Sequence, residues 1–357
     1  MTVIFDIQHL YYLPQYLPVI EQLQSRGVKV KFVCYRIADE TLARIVEEAV
    51  ENVDVSTIWV DSWADAKQYY LTENAHWIVF GNAVPDLDEL HQVSQTVLMQ
   101  HGIGPKACYY DVSENQTTVR FVEGQHRLKR LQQMFPQGNF VDTGYAKLDP
   151  LISDPLNTGM SVSDLGLDPT KKTLLYAPTF YPSSIECFSR RFAKEFSDYN
   201  IIVKPHFFTQ TKDKYKKQRK LLDTWAQSNN VYIAKTSEFN LIPFMAISDV
   251  MISDASSAIF EFVALNKPVV WCDFYKLRWS YRGIFSYRFK QRLDSDIKYF
   301  HDVAYRAASY AELKEQVKQA LTGQPNQGVK NVVEQLAGTI DGKCSVRISE
   351  YLVEKAV

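Results

Sequence analysis

Several features that would assign this chain to a familiar class of proteins are scarce or missing. Its 357 residues include only five cysteines, and none of them belongs to a Cys-x-x-Cys pair. An odd number of scattered cysteines argues against a disulfide framework or a zinc site and favours a reducing compartment. The formal net charge of −1 gives no global attraction to nucleic acid.

Long apolar runs are also absent, since none approaches the roughly 20 residues that span a bilayer. The apolar stretch at the start of the chain is too short, and the residues after it are too polar, for a signal peptide. The Rossmann glycine fingerprint, the Walker A loop and the Gly-x-Ser-x-Gly elbow do not occur, which lowers dehydrogenase, kinase and hydrolase interpretations. No histidine pair stands at metal-binding spacing, so no metal is expected to be required. We expect a cytoplasmic protein, attached at most loosely to the inner face of the membrane.

Short apolar strands alternate with helical patterns in both halves of the chain. This rhythm is typical of parallel sheets covered by helices. The predicted strands are Val3–Phe5, Val28–Phe32, Ile58–Val60, Trp77–Phe80, Val97–Met99, Thr173–Ala177, Ile201–Val203, Val231–Ala234, Val250–Ile252 and Val269–Trp271. A helix is predicted after Thr173–Ala177, with Ser183 and Glu186 as a capping box and Ile185, Phe188, Phe192 and Phe196 as its apolar face.

A segment rich in proline and glycine, about 151–169, is predicted to be a linker between two domains. The fold class is therefore predicted as α/β, with two Rossmann-like doubly wound domains facing a cleft. We expect an acceptor-binding domain over 1–165, a donor-binding domain over 166–335, and a C-terminal helix over 336–357 that packs back across the cleft.

Polar residues collect where the predicted strands end, and ligands of such sheets lie beyond the carboxyl ends of the strands. Four loops carry them, at His101-Gly102, Thr179, Lys204-Pro205-His206 and Asp254-Ala255-Ser256-Ser257. One such loop would be unremarkable, but four at the same predicted edge indicate a site.

The two strand-end histidines and a helix start are the strongest candidates. His101 suits a general base near neutral pH, although a loop histidine bonded to backbone gives the same pattern. His206, close to Lys204, suits anion binding. Ser256 and Ser257 precede a helix, where they either cap it or hold a phosphate. Glu261 is either a ligand for ribose hydroxyls or a solvent-facing helix residue.

A basic run over 212–220, with six lysine or arginine residues, adds one more candidate surface. A solvated helix face is the favoured interpretation, and contact with an anionic membrane or polymer is the alternative.

Taken in order, these motifs resemble the CDP-glycerol glycerophosphotransferase family of teichoic-acid primases and polymerases, which have a GT-B-like fold. The resemblance spans about 97–352 and runs through His101-Gly102 with Pro105-Lys106, Thr143-Gly144-Tyr145-Ala146-Lys147-Leu148-Asp149, Tyr176-Ala177-Pro178-Thr179, Val203-Lys204-Pro205-His206, the Asp254-Ala255-Ser256-Ser257 helix start, and Asp341-Gly342-Lys343-Cys344-Ser345-Val346-Arg347. His9-Leu10-Tyr11-Tyr12-Leu13-Pro14 also looks like the opening of capsule-type members.

The resemblance implies transfer of glycerol phosphate or ribitol phosphate from a CDP-linked donor to a hydroxyl of a saccharide or lipid-linked glycan, with release of CMP. His101 would be the base on the acceptor hydroxyl. Donor and pyrophosphate contacts would come from His206, Thr179, Lys204, Asp254, Ser256, Ser257 and Glu261. Further contacts are implied for Gly102, Lys106, Lys343 and Arg347. Neither a tightly bound cofactor nor a metal is implied.

The chain departs from the family pattern in three places, where Phe180-Tyr181, Phe207 and Ala255 stand at positions that commonly hold other residues. Three alternatives stay open. A GT-B glycosyltransferase that uses a nucleotide sugar is the first, but such enzymes usually have a glycine-rich turn where Ser256-Ser257 stands. A UDP-sugar 2-epimerase and a non-catalytic polymer-binding module are the others.

Overall fold

A computed structural model describes residues 1–104, 107–154, 159–277, 295–323 and 327–356. The chain divides into two compact units. The first consists of 1–102, 108–153 and 335–357, and the second consists of 103–107 and 154–334. Residues 155–158 of the predicted linker lie outside the described residues.

The first unit is built on a sheet of parallel strands. They are β1 (Thr2–Ile7), β2 (Lys29–Tyr35), β3 (Ser56–Val60), β4 (Trp77–Phe80), β5 (Gln95–Met99), β6 (Val119–Val122) and β7 (Phe140–Asp142). Their order is β3-β2-β1-β4-β5-β6-β7. The central strands are apolar on both faces, as in Trp77–Phe80, which is buried throughout. Continuous apolar runs of this kind are expected where helices cover both faces of a parallel sheet.

The second unit repeats this arrangement. Its strands are β8 (Thr173–Ala177), β9 (Asn200–Val203), β10 (Val231–Ile233), β11 (Val250–Ser253), β12 (Val269–Cys272) and β13 (Tyr305–Ala307). They are parallel in the order β10-β9-β8-β11-β12-β13. In both sheets the first strand of the unit lies beside its fourth, β1 beside β4 and β8 beside β11. This is the point where strand order reverses and where ligands of doubly wound sheets bind.

The connections contain helices of very different length. The α-helices are α1 (Leu13–Ser25), α2 (Glu40–Glu51), α3 (Trp63–Glu73), α4 (Leu87–Leu90), α5 (Cys108–Asp111), α6 (Gly124–Met134), α7 (Asp149–Ser153), α8 (Phe192–Glu195), α9 (Phe207–Thr211), α10 (Lys216–Trp225), α11 (Ile242–Ile247), α12 (Ala258–Val263), α13 (Phe300–Val303), α14 (Tyr310–Thr322), α15 (Gln327–Ala337) and α16 (Cys344–Glu354). Short 3₁₀ segments are Leu10–Tyr12, Val112–Glu114, Ala146–Leu148, Ser163–Leu165, Ser184–Cys187, Asp213–Tyr215 and Ser295–Tyr299.

Local sequence explains where the longer helices begin. Asp39 accepts a hydrogen bond from the backbone N–H of Leu42 at the start of α2. Ser62 does the same for the N–H of Asp65 at the start of α3. Side-chain oxygens at these positions satisfy N–H groups that have no partner inside the helix.

All ten predicted strands are confirmed, and β6, β7 and β13 were not predicted. The helix predicted after Ser183 is wrong, because Ser184–Cys187 is a 3₁₀ segment and a separate short helix follows at Phe192–Glu195. The predicted apolar face is nevertheless buried in the core of the second unit. Ser183 accepts from the N–H of Ile185, not of Glu186, so the capping box does not form.

Candidate functional site

His101 follows β5 and lies beside the loop that follows β4. The Nδ1 atom of His101 lies 3.4 Å from the carbonyl oxygen of Gly81, directly after β4. A Cβ at position 81 would lie 2.6 Å from the ring of Tyr12, so only glycine lets that ring pack there. The parallel register of β4 and β5 therefore brings the two loops together at one edge.

Aromatic rings surround the His101 imidazole. The ring centroids of Tyr11 and Tyr12 lie 4.7 Å and 5.2 Å from it, and Tyr109 packs against it edge-on at 5.8 Å. Tyr11 also stacks on the exposed ring of His9 at 4.9 Å. Burial raises the pKa of Tyr11 to about 12, so the phenol beside His101 is neutral at physiological pH.

The contact with Gly81 favours one tautomer of His101. A carbonyl oxygen only accepts, so the Gly81 contact requires the proton on Nδ1. The carboxamide nitrogen of Gln100 lies 3.3 Å from the same Nδ1, while the buried Oε1 of Gln100 has no hydrogen-bond partner among the described residues. Exchanging the two ends of this carboxamide lets Oε1 accept from Nδ1 as well. With Nδ1 protonated, the lone pair of the neutral ring is on Nε2.

Asp254 connects two strand ends in the second unit. It is fully buried after β11, and its Oδ2 accepts from the N–H of Thr179 at 2.9 Å and the hydroxyl of Ser183 at 3.0 Å. Its Oδ1 accepts from the N–H of Ser184 at 3.1 Å and from the Ser184 hydroxyl. The hydroxyl of Thr179 donates to the carbonyl of Pro182 at 2.6 Å. These contacts order the loop after β8, and the predicted donor contacts of Asp254 and Thr179 stay predictions.

His206 directly precedes α9, and its half-buried side chain caps the helix. Nδ1 of His206 accepts from the N–H of Phe208 at 3.1 Å, so the proton of the neutral ring is on Nε2. The ring packs against Phe180, in the loop after β8, at 4.6 Å between centroids. Lys204, two residues earlier, is 9% exposed. The strand-end residues after β8 and β9 are therefore neighbours, as the sequence predicted.

The predicted helix start at Ser256 and Ser257 is present, but the helix is short. α12 contains six residues, Ala258–Val263, and Ser256 Oγ accepts from the N–H of Ala258 at 3.3 Å. An accepting hydroxyl keeps its own O–H to donate. Glu261 is 1% exposed, which excludes the solvent-facing alternative. Gly104, with a φ of 111°, approaches this helix so closely that a Cβ would lie 3.0 Å from the ring of Phe260.

The remaining predicted residues are Gly102, Lys106, Lys343 and Arg347. Lys106 lies outside the described residues, and Gly102 is buried in the loop directly after His101. Lys343 is exposed before α16. The guanidinium of Arg347 donates to Asp341 at 2.8 Å and to the carbonyl of Thr143 at 2.9 Å. These Arg347 contacts lie within the first unit, so they describe a structural role there, and donor contact stays a prediction.

Two buried features had no role in the sequence prediction. Asp6, at the end of β1, accepts from the hydroxyls of Tyr35 at 2.9 Å and Tyr70 at 2.6 Å. Burial raises its pKa to about 7, and the two tyrosines oppose that shift. Tyr145 donates from its hydroxyl to the carbonyl of His101 at 2.9 Å. A polar residue at the end of an apolar strand was a usable signal for Asp6; nothing local pointed to the Tyr145 contact.

A cavity of about 440 Å³ in the second unit is not at this edge. Lys267 and Pro268 line it before β12, and Ala304 and Tyr305 line it at the start of β13. It therefore lies at the amino ends of these strands, opposite to the predicted donor site.

The described residues hold neither a candidate metal site nor a candidate membrane-spanning helix. They contain no group of three or more His, Cys, Asp or Glu side chains arranged to hold a metal ion. Nor does any helix among them have the length and apolar character needed to cross a membrane.

Two doubly wound units with polar residues at the carboxyl ends of their strands define a GT-B-like α/β protein. The chain belongs to the family described as CDP-glycerol:poly(glycerophosphate) glycerophosphotransferase, whose sequence profile matches residues 41–352. The match begins before the predicted region of resemblance, in α2. It confirms the predicted family and the predicted class of enzyme.

Relatives with curated names are teichoic acid glycerol-phosphate primases. The primase of Bacillus spizizenii is 31% identical over 105 residues, which cover 28% of this chain and 25% of that protein. The primase of Bacillus subtilis is 25% identical over 274 residues, which cover 68% of each. The first of these matches thus spans about a quarter of the primase.

Solved structures confirm the predicted fold. The wall teichoic acid polymerase TagF has 17% identity and a TM-score of 0.69, with 99% of this chain and 88% of that chain covered. A UDP-GlcNAc 2-epimerase of Neisseria meningitidis, solved with UDP-GlcNAc, has 14% identity and a TM-score of 0.62, with 99% and 100% covered. A variant of TagF was also solved after soaking with CDPG.

Proposed function

We propose that this protein transfers glycerol phosphate from CDP-glycerol to a hydroxyl of a saccharide or lipid-linked glycan in teichoic acid synthesis. The acceptor oxygen forms a bond to the phosphorus distal to cytidine. The bond from that phosphorus to the bridging oxygen breaks, and CMP leaves with the electron pair. The domain predicted over 1–165 holds the acceptor, and the domain predicted over 166–335 holds the donor. The family match, with primases as named relatives, supports this reaction.

The observation that carries the residue roles is that Nδ1 faces a carbonyl oxygen in His101 and a backbone N–H in His206. His101 has Nδ1 directed at the carbonyl of Gly81, which leaves the lone pair of a neutral ring on Nε2. His206 uses Nδ1 as an acceptor, which leaves the proton on Nε2. The first pattern suits a general base that removes the proton from the acceptor hydroxyl. The second suits a donor to a phosphate oxygen of the departing CMP.

Phosphate binding completes the proposed donor site. Lys204 lies two residues before His206 and supplies a positive charge close to the same strand end. Ser256 and Ser257 have hydroxyls at the start of α12 and supply neutral donors. Glu261 accepts from ribose hydroxyls. Asp254 and Thr179 order the loop that carries Phe180, because their polar atoms bond to that loop. Catalysis then rests on positioning and on donors placed where charge develops.

A lysine-rich surface supports contact with an anionic membrane. Residues Lys212, Lys214, Lys216, Lys217 and Lys220 are all exposed, whereas Gln218, Leu222 and Trp225 turn the other face of α10 into the core. Each lysine close to an anionic surface contributes about 1 kcal/mol. We include attachment to the inner face of the membrane in the proposal, since a lipid-linked acceptor would be presented there.

Binding and transfer are tested separately. Thermal shift against CDP, CMP, UDP, GDP and ADP, with and without magnesium, should show selective stabilisation by CDP or CMP. Selective stabilisation by UDP or GDP would instead favour the glycosyltransferase alternative. Release of CMP from CDP-glycerol, and from CDP-ribitol in parallel, then identifies the polyol when glycan acceptors are added.

The variant His101→Ala tests the base. We expect transfer to fall about 100-fold to 10,000-fold, the range that general bases contribute, with CDP affinity within twofold of wild type. His91→Ala is the matched control, because His91 is an exposed histidine of the same unit whose Nε2 contacts Thr96. Equal loss of CDP binding and transfer in His101→Ala would exclude the proposed role.

A further inference from the structure

Two sequence motifs to which the proposed reaction assigns no step meet in the first unit. They are the loop over Thr143–Asp149 and the segment over Asp341–Arg347. The carboxylate of Asp149 accepts from the N–H of Cys344 at 3.3 Å, the N–H of Ser345 at 2.7 Å and the hydroxyl of Ser345 at 2.6 Å. Asp149 thus caps the start of α16 from a position 195 residues earlier in the chain.

Arg347 joins the same two segments one turn further along α16. Its Nε donates to the carbonyl of Thr143 at 2.9 Å. Its Nη1 donates to both carboxylate oxygens of Asp341, at 2.8 Å and 3.1 Å. Two hydrogen bonds to one carboxylate fix the orientation of the guanidinium. Its hydrogen bond to the carbonyl of Thr143 therefore restrains the loop.

We call the contacts between 142–149 and 338–347 the clasp. Close packing of the two backbones is also part of it. Gly144 has a φ of 88°, and a Cβ there would lie 3.1 Å from the carbonyl oxygen of Thr339. Asp142 Oδ1 accepts from the N–H groups of Gly124 at 2.9 Å and Gly144 at 3.3 Å. The loop is therefore held by hydrogen bonds both before and after one residue, which lies between Gly144 and Ala146.

That residue is Tyr145, which is 3% exposed. Its hydroxyl donates to the backbone carbonyl of His101 at 2.9 Å. We infer that Tyr145 is a positioning residue for His101, held in place by the clasp of α16 and the loop over 142–149. The catalytic meaning of this inference rests on the proposed function, in which His101 is the base.

A hydrogen bond to the backbone carbonyl of His101 restrains the backbone from which the imidazole extends. Fixing the carbonyl of His101 fixes the peptide plane after its Cα and so limits the direction in which the imidazole leaves the backbone. The rings of Tyr11, Tyr12 and Tyr109 restrict the imidazole from the side, and the Tyr145 hydroxyl restrains the backbone of the same residue. A misplacement of about 1 Å in a base can cost up to about 100-fold in rate.

Tyr145→Phe is the direct test, since it keeps the ring and removes only the hydroxyl. We expect kcat for CMP release to fall about tenfold, an intermediate effect for a small misplacement, with the KM for CDP-glycerol within twofold. We also expect the ¹⁵N signals of the His101 imidazole to change, in their shifts or in their pH midpoint. Those signals are assigned by their loss in His101→Ala. Tyr351→Phe is the control, because its hydroxyl accepts from Asn139 in the same unit and does not contact His101.

A second variant acts on the clasp without touching Tyr145. Arg347→Lys keeps the positive charge but loses the paired contact with Asp341, and we expect a smaller change of the same kind in kcat and in the His101 signals. A kcat within twofold of wild type together with unchanged His101 signals in Tyr145→Phe would overturn the inference. If Tyr145→Phe does not fold, the Arg347→Lys result decides by the same two criteria.

Failure of the proposed function has a different signature. If His101→Ala transfers at the wild-type rate, His101 is not the base. The ¹⁵N spectra of Tyr145→Phe then still report whether Tyr145 positions that imidazole, because they require no substrate. If His101→Ala loses transfer while Tyr145→Phe matches wild type in kcat and spectrum, only the positioning role is excluded.

Discussion

The backbone N–H of Phe208 donates to Nδ1 of His206 over 3.1 Å. One ring atom thereby caps α9, and the other ring nitrogen carries the proton. The same imidazole is therefore both a structural element and the proposed donor to phosphate, and a substitution can separate these two roles.

His206→Asn should keep the cap and remove the donor at Nε2. Asparagine is among the best helix-capping residues, so its side-chain oxygen can accept the N–H of Phe208. We expect transfer to fall about 100-fold or more, with an unchanged melting temperature. His206→Ala should lose transfer and also about 1 kcal/mol of stability through the lost cap. Transfer assays and thermal melts of both variants check this, and near-normal transfer in His206→Asn would contradict the proposed role.

The double variant Ser256→Ala with Ser257→Ala should weaken CDP binding about tenfold or more, because hydrogen bonds to charged groups contribute about 1.5–3 kcal/mol each. Isothermal titration with CDP measures this. Ser309→Ala is the control, since Ser309 also precedes a helix of the second unit. Unchanged affinity in the double variant would remove the start of α12 from the proposed donor site.

Asp254→Asn should destabilise the protein by about 1–3 kcal/mol, the cost of an unsatisfied buried polar group. Each carboxylate oxygen accepts at least one backbone N–H, from Thr179 or from Ser184, so either orientation of an amide places an N–H₂ against a donor. CDP affinity should fall as well, because the loop after β8 loosens. Thermal melts and titration with CDP measure the two effects.

Asp249→Asn provides the comparison at the opposite end of β11. There only one oxygen meets a backbone N–H, that of Thr173, and the other meets Lys172. We expect a small loss of stability and normal CDP affinity. If Asp254→Asn behaves like Asp249→Asn, the loop does not depend on Asp254.

The alternation of apolar strands with helical patterns was enough to predict ten strands, five in each sheet, because buried parallel strands are continuous apolar runs. β13 was missed because Tyr305–Ala307 contains the exposed Arg306. The helix after Ser183 was predicted from spacing that is correct for a helix. Asp254, about 70 residues later, bonds Ser183 and Ser184 instead, and a local pattern contains no information on that competition.

The same limit applies to the candidate site. Strand-end histidines can be found from local sequence, since each follows its own apolar run. The contact between Tyr145 and His101 joins residues 44 positions apart, and the cap of α16 by Asp149 joins residues 195 apart. Neither pair has a spacing rule, so only the fold reveals that these motifs act on one another.

Replacing Lys216, Lys217 and Lys220 by glutamine should weaken binding to vesicles that contain anionic lipid. At about 1 kcal/mol per lysine, the expected loss is about 100-fold at low salt, and it should shrink as salt increases. Vesicle sedimentation measures it. Lys314→Gln with Lys318→Gln is the matched control, because both lysines are exposed on another helix, α14. Equal binding by the triple variant and wild type would exclude this surface as the membrane contact.

Asp6 predicts how stability depends on pH in the first unit. Its pKa is raised by burial from 3.8 to about 7, so between these values the folded state binds a proton that the unfolded state has released. The contribution of Asp6 to the free energy of unfolding is therefore fully present below about pH 4 and is lost as the pH rises through about 7. Asp6→Asn cannot ionise, and its Oδ1 can still accept from Tyr35 and Tyr70.

We therefore expect the free energy of unfolding of wild type to fall relative to that of Asp6→Asn as the pH rises from 5 to 8, as measured by urea denaturation at each pH. Other buried carboxyls, such as Asp254 with a pKa raised by burial to about 6, titrate in both proteins and cancel in the difference. A difference that stays constant over this range would show that Asp6 is ionised throughout in the folded protein, with its charge stabilised by the two tyrosine hydroxyls. The pKa of the Asp6 carboxyl in the folded protein would then not be raised.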